Sequence, residues 1–304
     1  MGSGRFDPQD WQTYATTKNY ATKSAAQIYT SSAMFADFDP KNIKNGIRES
    51  VDSTDNPVST PVIVGLDVTG SMEAVLESMA KKGLKTLFEE IYKRKPVKDP
   101  HVLCAAIGDA FVDRAPLQVT QFEADLRIAE QLEKLYLERG GGGNGSEGYA
   151  LLWYFAAKHT KVDSFDKRKK KGYLFTVGDD GPTPNVTRSQ LEGFLGDKEA
   201  EDYTAEQLLT MVSKQWEVFH LMVTEGGTHS QRVQNQWQKL LGERALLLTD
   251  HTKMGEVIVS TIQVLEGASA KDVTQTWDGS TSMVVGNAIK GLAQTQKNRG
   301  IVTL

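Results

Sequence analysis

The sequence predicts an α/β fold in which a doubly wound, mostly parallel sheet of six strands is flanked by helices. Two observations lead to this fold class. From residue 61 onward, short apolar runs typical of buried strands alternate with helical patterns that have one apolar face. The composition, 39% hydrophobic and 24% charged among 304 residues, is ordinary for a soluble globular protein and provides a sizeable core.

Each strand is predicted from an apolar run bounded by polar or turn-forming residues. The six runs lie at residues 61–67, 101–107, 117–122, 173–177, 218–223 and 245–248. Helices are predicted between them at residues 75–91, 122–135, 146–159 and 204–216, then through residues 237–241 and at residues 257–265. A glycine tract beginning at Gly140 separates the second of these helices from the third.

The chain is expected to have three parts: residues 1–57, a domain at 58–266 and an extension at 267–304. The first part contains seven aromatic residues, which predict packing onto the domain or onto a partner. Within it, residues 23–32 are predicted to be helical and residues 48–60 extended. The last part has a less regular pattern and is expected to form a tail or a partner-binding extension.

Charge and cysteine content limit the function classes. A net charge of −4 and a pI near 5.8 give no general attraction to nucleic acid or acidic membranes, and the basic block at residues 167–171 is predicted to be a solvated edge. The single cysteine, Cys104, lies in an apolar run and is expected to be buried. No apolar leader region and no run of about 18 apolar residues is present. We therefore expect a cytoplasmic protein, in the host cytoplasm if the chain is viral, without membrane or nucleic-acid partners.

The first strand leads into a polar turn with the pattern Asp67-x-Thr69-x-Ser71, directly before a helical pattern. One carboxylate and two hydroxyls around a single turn offer oxygen ligands to a hard cation. Mg²⁺ suits such a turn because it prefers oxygen ligands and is usually held by only one or two carboxylates. The alternative is a structural turn in which a hydroxyl caps the next helix.

This arrangement resembles the metal-ion-dependent adhesion site of von Willebrand factor A domains, whose first motif is Asp-x-Ser/Thr-x-Ser. The resemblance covers roughly residues 58–266 and implies a sheet with one antiparallel edge strand. It also implies a bound Mg²⁺, with Mn²⁺ or Ca²⁺ as alternatives. Asp179 ends the fourth strand, which is expected to neighbour the first, and its spacing after the strand fits the family's last carboxylate better than that of Asp180.

In this family a further loop supplies a threonine ligand, and the matching loop here is the glycine tract at residues 140–147. It contains no threonine, so the resemblance leaves Asn144 or Ser146 as the ligand, and we favour Asn144. Asp109 ends the second strand and is expected either to orient a ligand or water at the site or to cap the strand end. Asp180 is expected beside the site, at the turn.

The resemblance implies a metal-dependent protein-interaction module that binds a partner's carboxylate at the metal. Similar cytoplasmic A-domain proteins of bacteria and phages often accompany AAA+ ATPases of the MoxR type as adaptors, which suggests such a partner here. One alternative is a structural or assembly protein, for instance a phage component, in which the terminal segments join subunits into an oligomer. A second alternative is a Mg²⁺-dependent hydrolase. Beside the motifs, however, no His, Lys or Cys pattern indicates a general base or nucleophile. No enzymatic activity is therefore expected.

Overall fold

The structure is a computed structural model that describes residues 4–138, 145–225 and 231–299. The strands are, in chain order, β1 Arg48–Ser50, β2 Thr60–Asp67, β3 Pro100–Ile107, β4 Leu117–Val119, β5 Ser146–Glu147, β6 Thr160–Val162, β7 Gly172–Gly178, β8 Gly181–Pro182, β9 Asn185–Val186, β10 Tyr203–Thr204, β11 Trp216–Val223 and β12 Ala245–Leu248. The α-helices are α1 Pro8–Thr17, α2 Ala25–Ile28, α3 Glu73–Ser78, α4 Leu84–Arg94, α5 Arg127–Leu132, α6 Tyr149–Lys158, α7 Asp163–Arg168, α8 Arg188–Leu195, α9 Ala205–Val212, α10 Gln231–Leu241, α11 Met254–Leu265, α12 Ala270–Gln275 and α13 Gly279–Arg299.

Six strands form the central sheet in the order β12-β11-β7-β2-β3-β4. All of its neighbouring strands run parallel except β4, which pairs antiparallel with β3 at one edge. The predicted fold class is therefore confirmed, including the single antiparallel edge strand. In this order β2 and β7 are central neighbours, so the chain segments that follow them leave the same edge of the sheet side by side.

The sheet separates two apolar cores, and β2 contributes to both because successive side chains point to opposite faces. Val62, Val64 and Leu66 belong to the core that also contains residues of α4 and α11. Ile63 belongs to the core that also contains residues of α6, α9 and α10. Burial on both faces explains why the strand reads as a continuous apolar run instead of an alternating one.

Residues 4–57 lie against the chain's own domain. The aromatic side chains that become buried there are Trp11, Tyr20, Tyr29 and Phe38. The Glu133 carboxylate accepts hydrogen bonds from the hydroxyls of Tyr14 and Tyr20 and lies 3.0 Å from Lys18 Nζ. Strand β1 pairs in parallel with β6, and Arg168 of the basic block forms an ion pair with Asp52 at 2.7 Å.

The C-terminal part differs from the irregular segment that we expected, because it forms α12 and α13. These helices pack on α11, and Val273, Val285 and Ile289 are buried in the core that contains α11. The Arg94 guanidinium lies 3.5 Å from the ring centroid of Trp277. Spaced apolar residues between many polar ones form a helix here because the body of the domain offers them a surface to cover.

Two predicted helices begin later than expected. The helix predicted at residues 122–135 is confined to α5, because Glu123 exchanges backbone hydrogen bonds of 2.8 and 2.9 Å with Val102. The helix predicted from residue 146 begins at Tyr149, because Ser146 and Glu147 form β5 and pair with β8. Across the described parts of the chain, no helix combines the length and apolar character needed to cross a membrane.

Candidate metal centre

The Asp67 carboxylate lies at the carboxyl end of β2, where the chain leaves the sheet. Its Oδ1 accepts hydrogen bonds from the Thr69 backbone N–H at 2.9 Å and from the Thr69 hydroxyl at 2.6 Å. Its Oδ2 accepts a hydrogen bond from the Tyr149 hydroxyl at 2.9 Å. The turn continues as a 3₁₀ segment at Gly70–Met72 and then as α3. The polar side chains of the Asp-x-Thr-x-Ser turn therefore lie close together at the end of β2.

Asp179 joins the same group from the neighbouring strand β7. The Ser71 hydroxyl donates to Asp179 Oδ1 at 3.0 Å and lies 3.5 Å from the Thr69 hydroxyl. Asp67 and Thr69 are buried, and Asp179 retains 9% of its exposure. Of the predicted ligands, the structure thus brings together Asp67, Thr69, Ser71 and Asp179.

Gly178 allows this close approach. A Cβ atom at this position would overlap the Tyr149 hydroxyl and lie 3.0 Å from Asp67 Oδ2. Any larger residue would displace either the tyrosine or the carboxylate that it holds. Packing against Tyr149 and Asp67 therefore explains why glycine stands before Asp179 in this chain.

The glycine tract is described only in part. Asn144, the favoured third ligand, lies outside the described residues. Ser146 is half-buried in β5, where it pairs with Gly181 of β8. Gly145 before it has φ of +69°, a conformation that favours glycine, and a Cβ there would lie 3.0 Å from Arg232 Nη2 and 3.9 Å from Asp180 Oδ1.

Glu147 is a candidate that sequence reasoning missed. Its side chain is 2% exposed, and its Oε2 has no hydrogen-bond partner among the described residues. Burial, followed by the negative charges of Asp67, Asp109 and Asp180, raises its pKa to about 10. The sequence pattern predicted this residue to lie in a helix. The feature that could have identified it as a candidate ligand was its position, as an acidic residue at the end of a glycine tract.

Asp109 and Asp180 lie beside this group. Asp109 is fully buried after β3, and its Oδ1 accepts the Phe111 backbone N–H at 2.7 Å, as expected of a group that caps a strand end. Its charge also acts on Glu147 and Asp180. The pKa of Asp180 is raised by burial and by Asp179, while Arg232 opposes that increase.

The group contains several carboxyl groups whose burial disfavours their charged form. Burial raises the pKa of Asp67 to about 7, although the hydrogen bonds from Thr69 and Tyr149 oppose this shift and Asp179 adds to it. Buried carboxylates are stable as anions only when they are paired or bind a cation. The donor set of carboxylates and hydroxyls fits a hard divalent cation, and so does the Glu147 oxygen that finds no partner in the described parts of the chain.

A second cluster of potential metal ligands lies at the carboxyl ends of β11 and β12. One ligand atom each from Glu225, Asp250 and His251 lies within 4.8 Å of the others, and all three residues are partly exposed. His251 Nδ1 contacts Glu225 Oε2, and Asp250 Oδ1 caps the following turn by accepting the Thr252 N–H at 2.9 Å. A side-chain hydrogen bond and a helix cap account for these contacts without a metal.

Comparisons with known proteins found similarity in structure only. No protein-family model and no curated protein matches the sequence. The open conformation of the pilus adhesin SpaC from Lactobacillus rhamnosus GG has a TM-score of 0.47 and 9% identity over 75% of this chain, which spans 30% of SpaC. The vWF domain of the type V pili tip protein Mfa5 from Porphyromonas gingivalis has a TM-score of 0.42 and 8% identity over 70% of this chain and 97% of that domain.

These neighbours do not identify a function, because the identities and TM-scores are low. The sheet itself has the parallel central strands and the single antiparallel edge strand that the resemblance implied.

Proposed function

We propose that this chain is a metal-dependent protein-binding domain. A divalent cation, Mg²⁺ with Mn²⁺ or Ca²⁺ as alternatives, binds where β2 and β7 end, and a carboxylate of a partner protein binds there in turn. The observation that carries this proposal is the convergence of Asp67, Thr69, Ser71 and Asp179, near a buried Glu147 oxygen that has no hydrogen-bond partner among the described residues.

The chain's own residues have distinct tasks in this proposal. Asp67 and Asp179 supply negative charge, and the hydroxyls of Thr69 and Ser71 supply neutral oxygens. The ligand set is completed from the residue 140–147 loop, by Asn144, Ser146 or the buried Glu147. The bound cation supplies a Lewis-acidic position for one carboxylate oxygen of the partner. The Tyr149 hydroxyl, which donates to Asp67 Oδ2, keeps that carboxylate oriented.

The contacts around the site favour binding over hydrolysis. The histidine that packs against the site's Tyr149 is His220, with ring centroids 5.0 Å apart. This imidazole is fully buried, contacts the Thr176 hydroxyl at 2.8 Å and stacks on Trp237 at 3.6 Å. A ring held in this way is not positioned to exchange protons with a substrate or solvent.

The contacts of residues 4–57 also bear on the assembly alternative. Trp11, Tyr20, Tyr29 and Phe38 are buried against the chain's own domain. Four of the seven aromatic residues of this segment therefore pack within the chain instead of on a partner, which favours the binding domain over the assembly protein. The partner class to test first is the AAA+ ATPase suggested by the resemblance.

Isothermal titration with MnCl₂ tests the metal site directly. We expect one binding site in the wild-type protein, its loss in Asp67→Ala and its retention in Asp55→Ala, a matched change at an exposed aspartate. Unchanged Mn²⁺ affinity in Asp67→Ala would contradict the proposal.

Chelation tests what the metal does. We expect EDTA to dissociate a partner complex while leaving the circular dichroism of the chain intact, because the two cores do not depend on the site. Millimolar Mg²⁺ should raise the melting temperature by only a few degrees, corresponding to about 1 to 3 kcal/mol. A fold that collapses in EDTA would indicate a structural metal instead.

A further inference from the structure

Two consecutive apolar side chains are exposed beside the candidate metal centre. Phe111 and Val112 each retain 60% of their exposure. They lie in the loop between β3 and β4, two and three residues after Asp109, at the sheet edge where Asp67 ends β2. Isolated exposed apolar residues are common, but an adjacent pair at a binding edge marks a surface for contact with another molecule.

The loop holds this pair outward through a dense set of hydrogen bonds. The Phe111 N–H donates to Asp109 Oδ1 at 2.7 Å, and the Asp109 N–H donates to Asp113 Oδ2 at 2.8 Å. Glu138 Oε1 accepts the Arg114 N–H at 2.6 Å. From α8, Gln190 Nε2 donates to the Ala110 carbonyl at 3.3 Å. With the backbone fixed in this way, the two apolar side chains cannot easily fold back onto the domain.

A cation flanks the other side of the centre. Arg232, in the first turn of α10, is exposed and acts on Asp180, which follows β7 and Asp179. Across the sheet edge the order is therefore the apolar pair after β3, the carboxylates after β2 and β7, and the guanidinium on the helix that follows β11. This order is asymmetric, so it favours one arrangement of partner side chains over others.

We propose that the partner presents an extended segment in which an acidic side chain is accompanied, about two residues away, by a large apolar side chain that packs on Phe111 and Val112. The spacing is estimated from the position of β3, because the loop that carries the pair follows this strand. Strands lie about 5 Å apart, so β3 is about 7 Å from the midpoint between β2 and β7, and an extended chain covers that distance in about two residues at about 3.4 Å per residue. The acidic side chain is complementary to both the bound cation and Arg232. This inference rests on the proposed function.

The test uses fluorescein-labelled peptides in a Gly-Ser background and fluorescence anisotropy with Mg²⁺ or EDTA. Two peptides carry Glu with Leu two residues before or after it, a third peptide carries Glu alone, and a fourth carries Gln with Leu. We expect a Glu-Leu peptide to bind wild type about tenfold more tightly than the Glu peptide, in Mg²⁺ only. The Gln-Leu peptide should not bind.

Variants test whether Phe111 and Val112 cause the tenfold tighter binding of the Glu-Leu peptide. The double variant Phe111→Ser with Val112→Ser should lose the tenfold preference for leucine while its Mn²⁺ affinity stays at the wild-type value. Arg232→Gln should weaken both Glu-containing peptides. Met283→Ser, which removes a side chain 67% exposed on α13, is the matched control and should change nothing.

The outcomes separate the two proposals. Equal binding of the Glu-Leu and Glu peptides, failure of every peptide to bind a wild-type protein that binds Mn²⁺, or a double variant that binds like wild type would overturn the docking surface alone. Loss of Mn²⁺ binding by the wild-type protein, or peptide binding that survives EDTA, would overturn the proposed function itself.

Discussion

The substitution Asp67→Asn should stabilise the metal-free protein at alkaline pH. Burial raises the pKa of Asp67 from an ordinary 3.8 to about 7. That difference corresponds to about 4 kcal/mol of cost for keeping the carboxylate charged in the folded state. Asparagine removes the charge and keeps the shape, but its NH₂ group faces the Tyr149 hydroxyl, which loses an acceptor at a cost of about 1 to 3 kcal/mol. We expect a net gain of about 1 to 3 kcal/mol near pH 8.

The pH dependence distinguishes this cause from ordinary repacking. Because the folded pKa of Asp67 lies above its unfolded value, the folded state binds more protons between about pH 4 and pH 7, and wild-type stability falls as the pH rises through that window. The advantage of Asp67→Asn should therefore grow from about pH 4 to pH 7 and then stay constant. Below about pH 3 the carboxyl is neutral in both states, so there the variant should be less stable than wild type by the cost of the lost hydrogen bond.

Urea denaturation in EDTA, followed by circular dichroism at about pH 4.5 and pH 8, measures these differences. Asp55→Asn, the same chemical change at an exposed position, is the control. Mg²⁺ should then stabilise the wild type and leave Asp67→Asn unchanged. A stability difference between variant and wild type that is the same at both pH values would refute the reasoning.

Three further substitutions test other contacts of the structure. Glu147→Gln should change the stability of the metal-free protein by less than about 1 kcal/mol at neutral pH, because the raised pKa of about 10 keeps this carboxyl protonated. The same substitution should lower the Mn²⁺ affinity measured by calorimetry about tenfold or more. Gly178→Ala should cost about 1 to 3 kcal/mol in urea denaturation and abolish Mn²⁺ binding, because its Cβ overlaps the Tyr149 hydroxyl. Glu133→Gln should speed limited proteolysis of residues 8–47, because Glu133 holds the hydroxyls of Tyr14 and Tyr20; an unchanged cleavage rate would show that apolar packing alone suffices.

The strands of the central sheet could be predicted closely because each carries its own signal. A strand buried on both faces needs an uninterrupted apolar run, and a run of that kind has few other places in a soluble protein. The predicted run at residues 245–248 coincides with β12, and the run at residues 101–107 differs from β3 by one residue. Asp67 and Asp179 could be predicted as neighbouring site residues, because polar residues directly after two such runs lie at the same sheet edge if the strands run parallel.

The limits of several helices depended on contacts that the local sequence does not encode. Residues 122–135 have a helical pattern, but Glu123 pairs with Val102 in the adjacent strand, and this backbone pairing delays the helix until Arg127. The pattern at residues 267–304 is weak, and α12 and α13 form because α11 provides an apolar surface for them. In both places a partner distant in sequence outweighs a local preference of a few tenths of a kcal/mol per residue, an order of magnitude typical of helix propensities.

The sequence by itself determined the sheet, its carboxyl edge and the acidic and hydroxyl residues placed there, because those features follow from apolar runs and from the residues that end them. Only the tertiary structure decided that Glu147 is buried with an oxygen that no other described residue contacts by a hydrogen bond, that Tyr149 holds Asp67, and that Phe111 and Arg232 flank the centre. Burial and electrostatic environment depend on groups brought together from distant parts of the chain. A residue's own type and neighbours therefore cannot reveal whether its charge will be solvated, paired or left for a ligand.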